Sequence, residues 1–324
     1  MEYAVEVYEL EKIFPNHTAL KGIDFKVPRG SIYGFLGPNG AGKTTTIKIL
    51  LGLLAASRGR VKVLGEEVRF GKKMNWLKKA SYLPQDPVFP ESLTGKEVLE
   101  LVGEIYRMER HACNSRAASL LQELRLEEAA ARKVRAYSRG MKQRLGLAAA
   151  LLTEPELLIL DEPVSSLDPE GRYKILERIA SLRGKATVFF SSHILADVEK
   201  VCDHLAIIKE GVMLIETETG KLLQRYAMEQ YIVAVRPGYR EQAYKQLQHN
   251  DYVREVSIVD DNLLVTSKPG QANALVENLL QALVNDGIKV TEFRRRRVGL
   301  EEIFFKILEQ NSTREEIANE CFND

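Results

Sequence analysis

At 324 residues the chain is long enough for two domains of ordinary size, each with its own core. Hydrophobic residues make up 45% and charged residues 28%, which is the balance of a globular protein rather than a disordered one. With 46 Lys and Arg against 45 Asp and Glu, the net charge of +1 excludes a field that grips nucleic acid along a whole face.

Cys113, Cys202 and Cys321 form no CxxC pair, so disulfides and zinc are not expected and a reducing cytosol is the simple reading. The acidic start, Met1-Glu2-Tyr3-Ala4-Val5-Glu6, opens no signal peptide. Apolar runs such as Leu145–Leu152 are too short to span a bilayer, so work at a membrane needs another chain.

In chain order, Ser31–Leu36 is a short apolar run that predicts a strand. A glycine-rich turn follows, and Thr44–Leu54 predicts a helix. Ser81-Tyr82-Leu83 is a short strand. From about Thr94 to Arg135 strands disappear, and Val98, Leu99, Leu101, Val102, Ile105 and Tyr106 fall at helical spacing, as do Leu120, Leu121 and Leu124. This is a helical insertion, extended to about residues 94–150 by the helix that starts near Ser138. Leu157–Leu160, Thr187–Phe190 and Ala206–Ile208 predict buried strands of an α/β domain with a largely parallel sheet, over residues 1–220.

After Gly220 the pattern changes. Tyr231–Val235 predicts a strand, Arg240–Gln248 a helix, and Val253–Val259 and Leu263–Thr266 two strands joined at Asp260-Asp261-Asn262. Gln271–Asn285 predicts a helix, Lys289–Phe293 a strand and Leu300–Leu308 a last helix. The order βαββαβ is that of a small ferredoxin-like α+β domain, over residues 221–310, followed by a polar tail over 311–324.

The stretch GPNGAGKTT fits G-x-x-x-x-G-K-[ST] between a strand and a helix. Gly37, Asn39, Gly40, Ala41, Gly42 and Thr45 would wrap phosphates with backbone N–H groups, and Pro38 belongs to the same phosphate-binding loop. Lys43 would reach the β- and γ-phosphates and the Thr44 hydroxyl would ligate Mg²⁺. The apolar run LLILDEP ends in two carboxylates at the carboxyl end of a strand, where α/β sheets bind ligands. Asp161 would hold Mg²⁺, and Glu162 would orient or deprotonate the attacking water.

Three further residues admit two readings each. His193, ending TVFFSSH, is either structural or placed to hydrogen-bond a γ-phosphate. Gln85, in YLPQD, is either an ordinary loop residue or a sensor of Mg²⁺ and its water tied to the helical insertion. Phe14 is either a core residue or a stacking platform for adenine, a contact worth about 1–3 kcal/mol.

In AYSRGMKQRLGLAAALL, Ser138 and Gly140 stand where a helix starts, which leaves backbone N–H groups able to bind an anion. A second such site is redundant beside a phosphate loop within one subunit. It makes sense if it faces the nucleotide of a second subunit, with two ATP molecules enclosed in an isologous pair.

Together these residues resemble the ATP-binding cassette (ABC) ATPases, the nucleotide-binding subunits of ABC transporters, over residues 1 to about 220. Phe14 matches the adenine-stacking aromatic, the 37–45 stretch Walker A, Gln85 the Q-loop and Ser138–Lys142 the signature. Leu157–Glu162 matches Walker B, Ser165–Asp168 the D-loop and His193 the switch histidine. The commonest signature form is LSGGQ; here Arg139 replaces a glycine and Met141 a glutamine. The Tyr-Ser-x-Gly-Met form, and a C-terminal extension ending like GLEEIFFKIL, are similar to a subgroup of export-type cassettes.

The resemblance implies a phosphate-loop ABC-type fold with a helical subdomain and an ATPase using ATP and Mg²⁺, with Thr44, Asp161 and Gln85 toward the metal. Glu162, His193 and Gln85 are then catalytic, and Ser138, Gly140 and Asp168 contact nucleotide. It further implies a separate integral membrane permease as partner, with a second copy of this chain or a related ATPase, and a place on the cytoplasmic face of the cell membrane. No nucleic acid is expected. The Arg294–Arg297 run is either a contact for anionic lipid headgroups or a solvated strand end. A non-transport cassette switch is the alternative. It is weakened by the single cassette, the absence of a long coiled-coil insertion and of zinc cysteines, and the neutral charge. A phosphate-loop kinase or GTPase leaves the signature unexplained, and no NKxD-type stretch occurs.

Overall fold

The computed structural model describes residues 2–226, 229–268, 270–296 and 298–307. Arg297, Leu308, Cys321 and the 311–324 tail lie outside the described residues. The chain forms two compact units, the first reaching to Lys221 and the second spanning Leu222–Lys306.

The first unit opens with a long antiparallel pair, β1 (Tyr3–Phe14) and β2 (His17–Pro28), before β3 (Ile32–Leu36) and α1 (Lys43–Leu50). Then come β4 (Arg58–Val63), β5 (Glu66–Glu67) and β6 (Ala80–Leu83), and the helices α2 (Gly95–Ile105), α3 (Arg110–Glu123) and α4 (Arg139–Leu151). β7 (Leu157–Asp161), α5 (Pro169–Ala180), β8 (Thr187–Ser192), α6 (Leu195–Val201), β9 (His204–Lys209) and β10 (Val212–Glu218) follow, and α7 (Thr219–Tyr226) carries the chain into the second unit.

Two sheets result. The central one runs β10-β9-β3-β8-β7-β6, and its inner pairs β9·β3, β3·β8, β8·β7 and β7·β6 are parallel. The other is antiparallel, in the order β2-β1-β4-β5. Every residue of β3, β7 and β8 is buried, as expected for parallel strands covered on both faces. Phe25 of β2, Tyr33 and Phe35 of β3 and Phe189 of β8 stack with ring centroids 5.3–6.0 Å apart and join the two sheets.

α1 is shorter than Thr44–Leu54 predicts. Gly52 adopts φ +67°, and the amides of Leu53 and Leu54 turn back to the Lys48 carbonyl. A left-handed glycine ends the helix despite the apolar residues beyond it. The helical insertion starts with a capping box, in which Thr94 Oγ1 accepts from the Glu97 amide and the Glu97 carboxylate from the Thr94 amide.

The second unit contains β11 (Gln230–Val235), α8 (Arg240–Gln248), β12 (Val253–Val259), β13 (Asn262–Ser267), α9 (Ala272–Asn285) and β14 (Val290–Arg295), and residues 300–307 are helical. Its antiparallel sheet has the order β12-β13-β11-β14, the ferredoxin-like arrangement. Asp260 and Asp261, at φ 47° and 65°, make the tight hairpin between β12 and β13. Leu275, Leu279 and Leu283 form one stripe of α9 against Val233, Leu263 and Val265. In the arginine run, Arg294 pairs with Glu292 at 2.6 Å and Arg296 with Glu302 at 2.8 Å.

Candidate functional site

The carboxyl ends of β3, β7 and β8 carry the site. Residues 37–42 turn directly from β3 into α1. Gly42, at φ +110°, takes a conformation that L side chains avoid, and a Cβ there would fall 2.7 Å from Leu20 Cδ2 and 2.9 Å from the Ala19 carbonyl. Gly37 is closed in too, since a Cβ would meet the Ile208 carbonyl at 2.3 Å. Its amide donates to the Ser192 carbonyl over 3.3 Å, which ties the loop to β8. Pro38, Asn39 and Gly40 are exposed, Ala41 and Gly42 buried, and Thr44 and Thr45 half-buried.

Lys43 opens α1 and folds back into the loop. Its Nζ donates to the Gly37 carbonyl at 2.7 Å and the Pro38 carbonyl at 3.2 Å, and lies 3.3 Å from Glu162 Oε1. The ammonium therefore sits inside the curve of the loop, where an anion would meet it. Lys43 and Glu162 are both only 6% exposed, so this pair lies in a weakly screened environment.

Asp161 ends β7. Its Oδ2 accepts from Thr44 Oγ1 at 3.0 Å and its Oδ1 from Ser191 Oγ at 2.6 Å. Ser191 also accepts at Oγ from the Glu162 amide, at 3.0 Å. One hydroxyl thus orients both acidic residues. Ser191 is not among the candidates the sequence singles out; its one signal there is the pair of serines just before His193 at the end of a buried strand. Glu162 adopts φ +50°, a strained conformation for a non-glycine, and its Oε2 lies 2.8 Å from His193 Nδ1. Lys43, Glu162 and His193 form a chain across the loop. The phenol of Tyr82 on β6 is pushed up to about 12, by burial first and then by the Asp161 carboxylate, so it stays neutral beside the acids.

Thr44 and Asp161 put a hydroxyl and a carboxylate oxygen side by side, a hard oxygen donor set of the kind Mg²⁺ takes beside phosphate oxygens. Gln85 is exposed and lies just past β6, whose Leu83 pairs with Leu160 of β7, two residues before Glu162. Phe14 is not in the core. It is half-buried at the β1–β2 hairpin, stacked on His17 with centroids 5.1 Å apart, on the strand pair that packs Ala19 and Leu20 against Gly42.

Ser138 caps α4, its Oγ accepting from the Met141 amide at 3.2 Å, and helix geometry leaves the other first-turn amides without an intrahelical partner. Gly140 lies under the D-loop, where a Cβ would come 3.3 Å from the Ser166 carbonyl. Asp168 is exposed at the N-cap of α5. Among the described residues, no hydrogen bond or ion pair joins residues 138–142 to the 37–45 loop.

This fold and loop define a phosphate-loop α/β nucleotide-binding protein. Residues 20–165 match the family model described as ABC transporter. The ABC transporter ATP-binding protein YxlF of Bacillus subtilis (strain 168) is 35% identical over 94% of this chain and 99% of its own. The bacitracin transport ATP-binding protein BcrA of Bacillus licheniformis is 34% identical, over 95% and 98%. A solved ATP-binding subunit of an ABC transporter superposes with TM-score 0.63 at 33% identity, covering 69% of this chain and 93% of that one. The chain belongs to the ABC transporter ATP-binding family, whose cassette binds ATP. Among the described residues, no helix is long and apolar enough to cross a membrane.

Proposed function

We propose that this chain is the ATP-hydrolysing subunit of an ABC exporter, closing as an ATP-dependent dimer to drive a separate membrane-spanning permease. The observation that carries it is the convergence of Lys43, Thr44, Asp161, Glu162 and His193 at the ends of three neighbouring strands. Lys43 leaves the loop carbonyls for the β- and γ-phosphates. Glu162 accepts a proton from the attacking water, and His193 holds its carboxylate and the γ-phosphate side of the pocket. Thr44 and Asp161, with Gln85, would hold Mg²⁺, which neutralises phosphate charge when bound. Phe14 stacks on the base.

Ser138 and Gly140 serve the nucleotide of a second subunit, with Asp168 beside them, because the cap of α4 makes no bond to its own phosphate loop. The export reading draws on the Tyr-Ser-x-Gly-Met signature and the extension. Val88, 90% exposed, and Ile105, 68% exposed, offer apolar surface on the Gln85 segment and the helical insertion for the permease.

The test is to express tagged Glu162→Gln in its native cell, solubilise with mild detergent and identify what co-purifies with the ATP-trapped protein. A multi-span membrane protein in stoichiometric amount is expected. Ribosomes, DNA or soluble proteins alone would put a non-transport switch in its place.

A further inference from the structure

Gln85 and Ser138 belong to different motifs far apart in sequence, yet α4 holds their segments together at two levels. In its first turn, Arg139 reaches the residue after Gln85: Nη2 and Nε lie 2.7 and 3.2 Å from the same oxygen, Oδ1 of Asp86. Two turns further on, Gly146 lies against the same segment, where a Cβ would fall 2.6 Å from Leu83 Cδ1 and 3.1 Å from Pro87. Gln85 is thus flanked by one residue ion-paired to the start of α4 and another packed on its side.

The pair is poorly placed to stabilise the fold. Arg139 and Asp86 are 66% and 67% exposed, so the contact changes any equilibrium by a few-fold at most. A cation in the first turn of a helix also opposes the helix dipole. A positional role accounts for both facts. We propose that the Arg139–Asp86 ion pair couples the two nucleotide-facing motifs, fixing the Gln85 segment to the anion-binding start of α4 so that they move as one piece.

Arg139 is then a positioning residue that acts through Asp86. Without the pair, residues 84–87 sample other positions, and only a fraction of subunits presents Gln85 and Ser138 in register. The apparent strength of ATP-dependent association falls by that fraction. The inference rests on the reading of Ser138 as facing a second subunit's nucleotide.

The test measures, in the Glu162→Gln background, the ATP concentration giving half-maximal dimerisation by sedimentation velocity. Arg139→Gln and Asp86→Asn are each expected to raise it about 2- to 5-fold. The double variant should raise it no further than either single one, and Asp86→Glu, which keeps the carboxylate, should stay within about twofold of the parent. ATP binding to the isolated Asp86→Asn subunit, read by a fluorescent-nucleotide titration without Mg²⁺, should be unchanged, since Lys43 and the loop then hold the nucleotide without Gln85. Losses that multiply in the double variant would overturn the coupling. So would an unchanged or lowered midpoint in Asp86→Asn beside a raised one in Arg139→Gln, since Arg139 would then contact phosphate directly. Ser138→Arg keeps two failures apart. If it dimerises normally, the Ser138 reading falls and takes the coupling with it; if it is blocked while Asp86→Asn behaves as the parent, the coupling alone falls.

Discussion

Glu162→Gln tests the site most directly, because the amide keeps the shape of the side chain and removes only its charge. In the structure Oε1 lies 3.3 Å from Lys43 Nζ, and both residues are 6% exposed. Two unit charges at that separation attract by about 5 kcal/mol at an effective dielectric of about 20, most of it offset by desolvation. ATP must draw Lys43 away from this carboxylate. If about 1 kcal/mol of net attraction is released when the charge is removed, ATP binds roughly fivefold tighter. Hydrolysis responds in the other direction: a positioned base contributes about 10²- to 10⁴-fold, or roughly 3–5 kcal/mol of barrier. The variant should therefore bind ATP at least as well as the parent, release phosphate at least about a hundredfold more slowly and accumulate as an ATP-bound dimer. Single-turnover phosphate release, nucleotide titration and sedimentation measure the three. Turnover within twofold of the parent would remove Glu162 from its role. Weaker ATP binding would refute the competition between the carboxylate and phosphate for Lys43.

Lys43→Ala removes charge-assisted bonds worth about 1.5–3 kcal/mol, so ATP affinity should fall roughly 10- to 100-fold; an unaltered titration would count against the phosphate-loop assignment. Ser138→Arg should leave ATP binding to the single subunit intact and block dimer closure, and normal ATP-dependent dimerisation would remove the α4 start from the interface. Thr94→Ala breaks the capping box and should cost about 1 kcal/mol, seen as faster hydrogen exchange in α2 amides; unchanged exchange would mean tertiary contacts alone hold the helix start. The Glu97 carboxyl is held below the ordinary value by the hydrogen bond from the Thr94 amide. Its contribution is present above the usual carboxylate range and lost as pH falls through the lowered folded value. Protection of α2 in the parent and in Glu97→Gln should therefore converge in acid; a difference that persists there would mean the ionised carboxylate is not what matters.

The ends of β3, β7 and β8 were legible because chemistry is written there in residue types: a glycine loop before Lys43, and two acids after an unbroken apolar run. The second unit was legible because each strand and helix keeps its own period, down to the turn at Asp260 and Asp261. The antiparallel β1–β2–β4 sheet was not. In Tyr3–Phe14, alternating residues such as Val5 and Val7 pair with Val63 and Val61, and Leu10 with Ile23, across register shifts that blur the twofold period. Ser191 was missed for another reason. A buried serine in a strand carries no pattern of its own, and its role exists only where Asp161 and Glu162 arrive from a different strand. Gly52 overrode the apolar residues after it because backbone conformation, not hydrophobicity, ends a helix.

On the proposed function, the arrangement of charges bears on why a second subunit would be needed. In the single chain Lys43 is already answered by Glu162 and two carbonyls, and Asp161 by Thr44 and Ser191. A nucleotide entering this loop exchanges one set of contacts for another, so each replaced bond yields less than its gross strength. The start of α4 differs: Ser138 satisfies one amide of the first turn, and the remainder keep their capacity for an anion. On the proposed reading, the phosphate loop fixes where ATP sits, and the unsatisfied helix start of the partner supplies the contact that the single chain cannot replace internally. On that reading hydrolysis would remove the γ-phosphate that this contact reads, so closure would weaken while ADP stayed on Lys43. The same distribution explains why the Ser138 and Lys43 substitutions should separate cleanly, one acting on association and the other on binding.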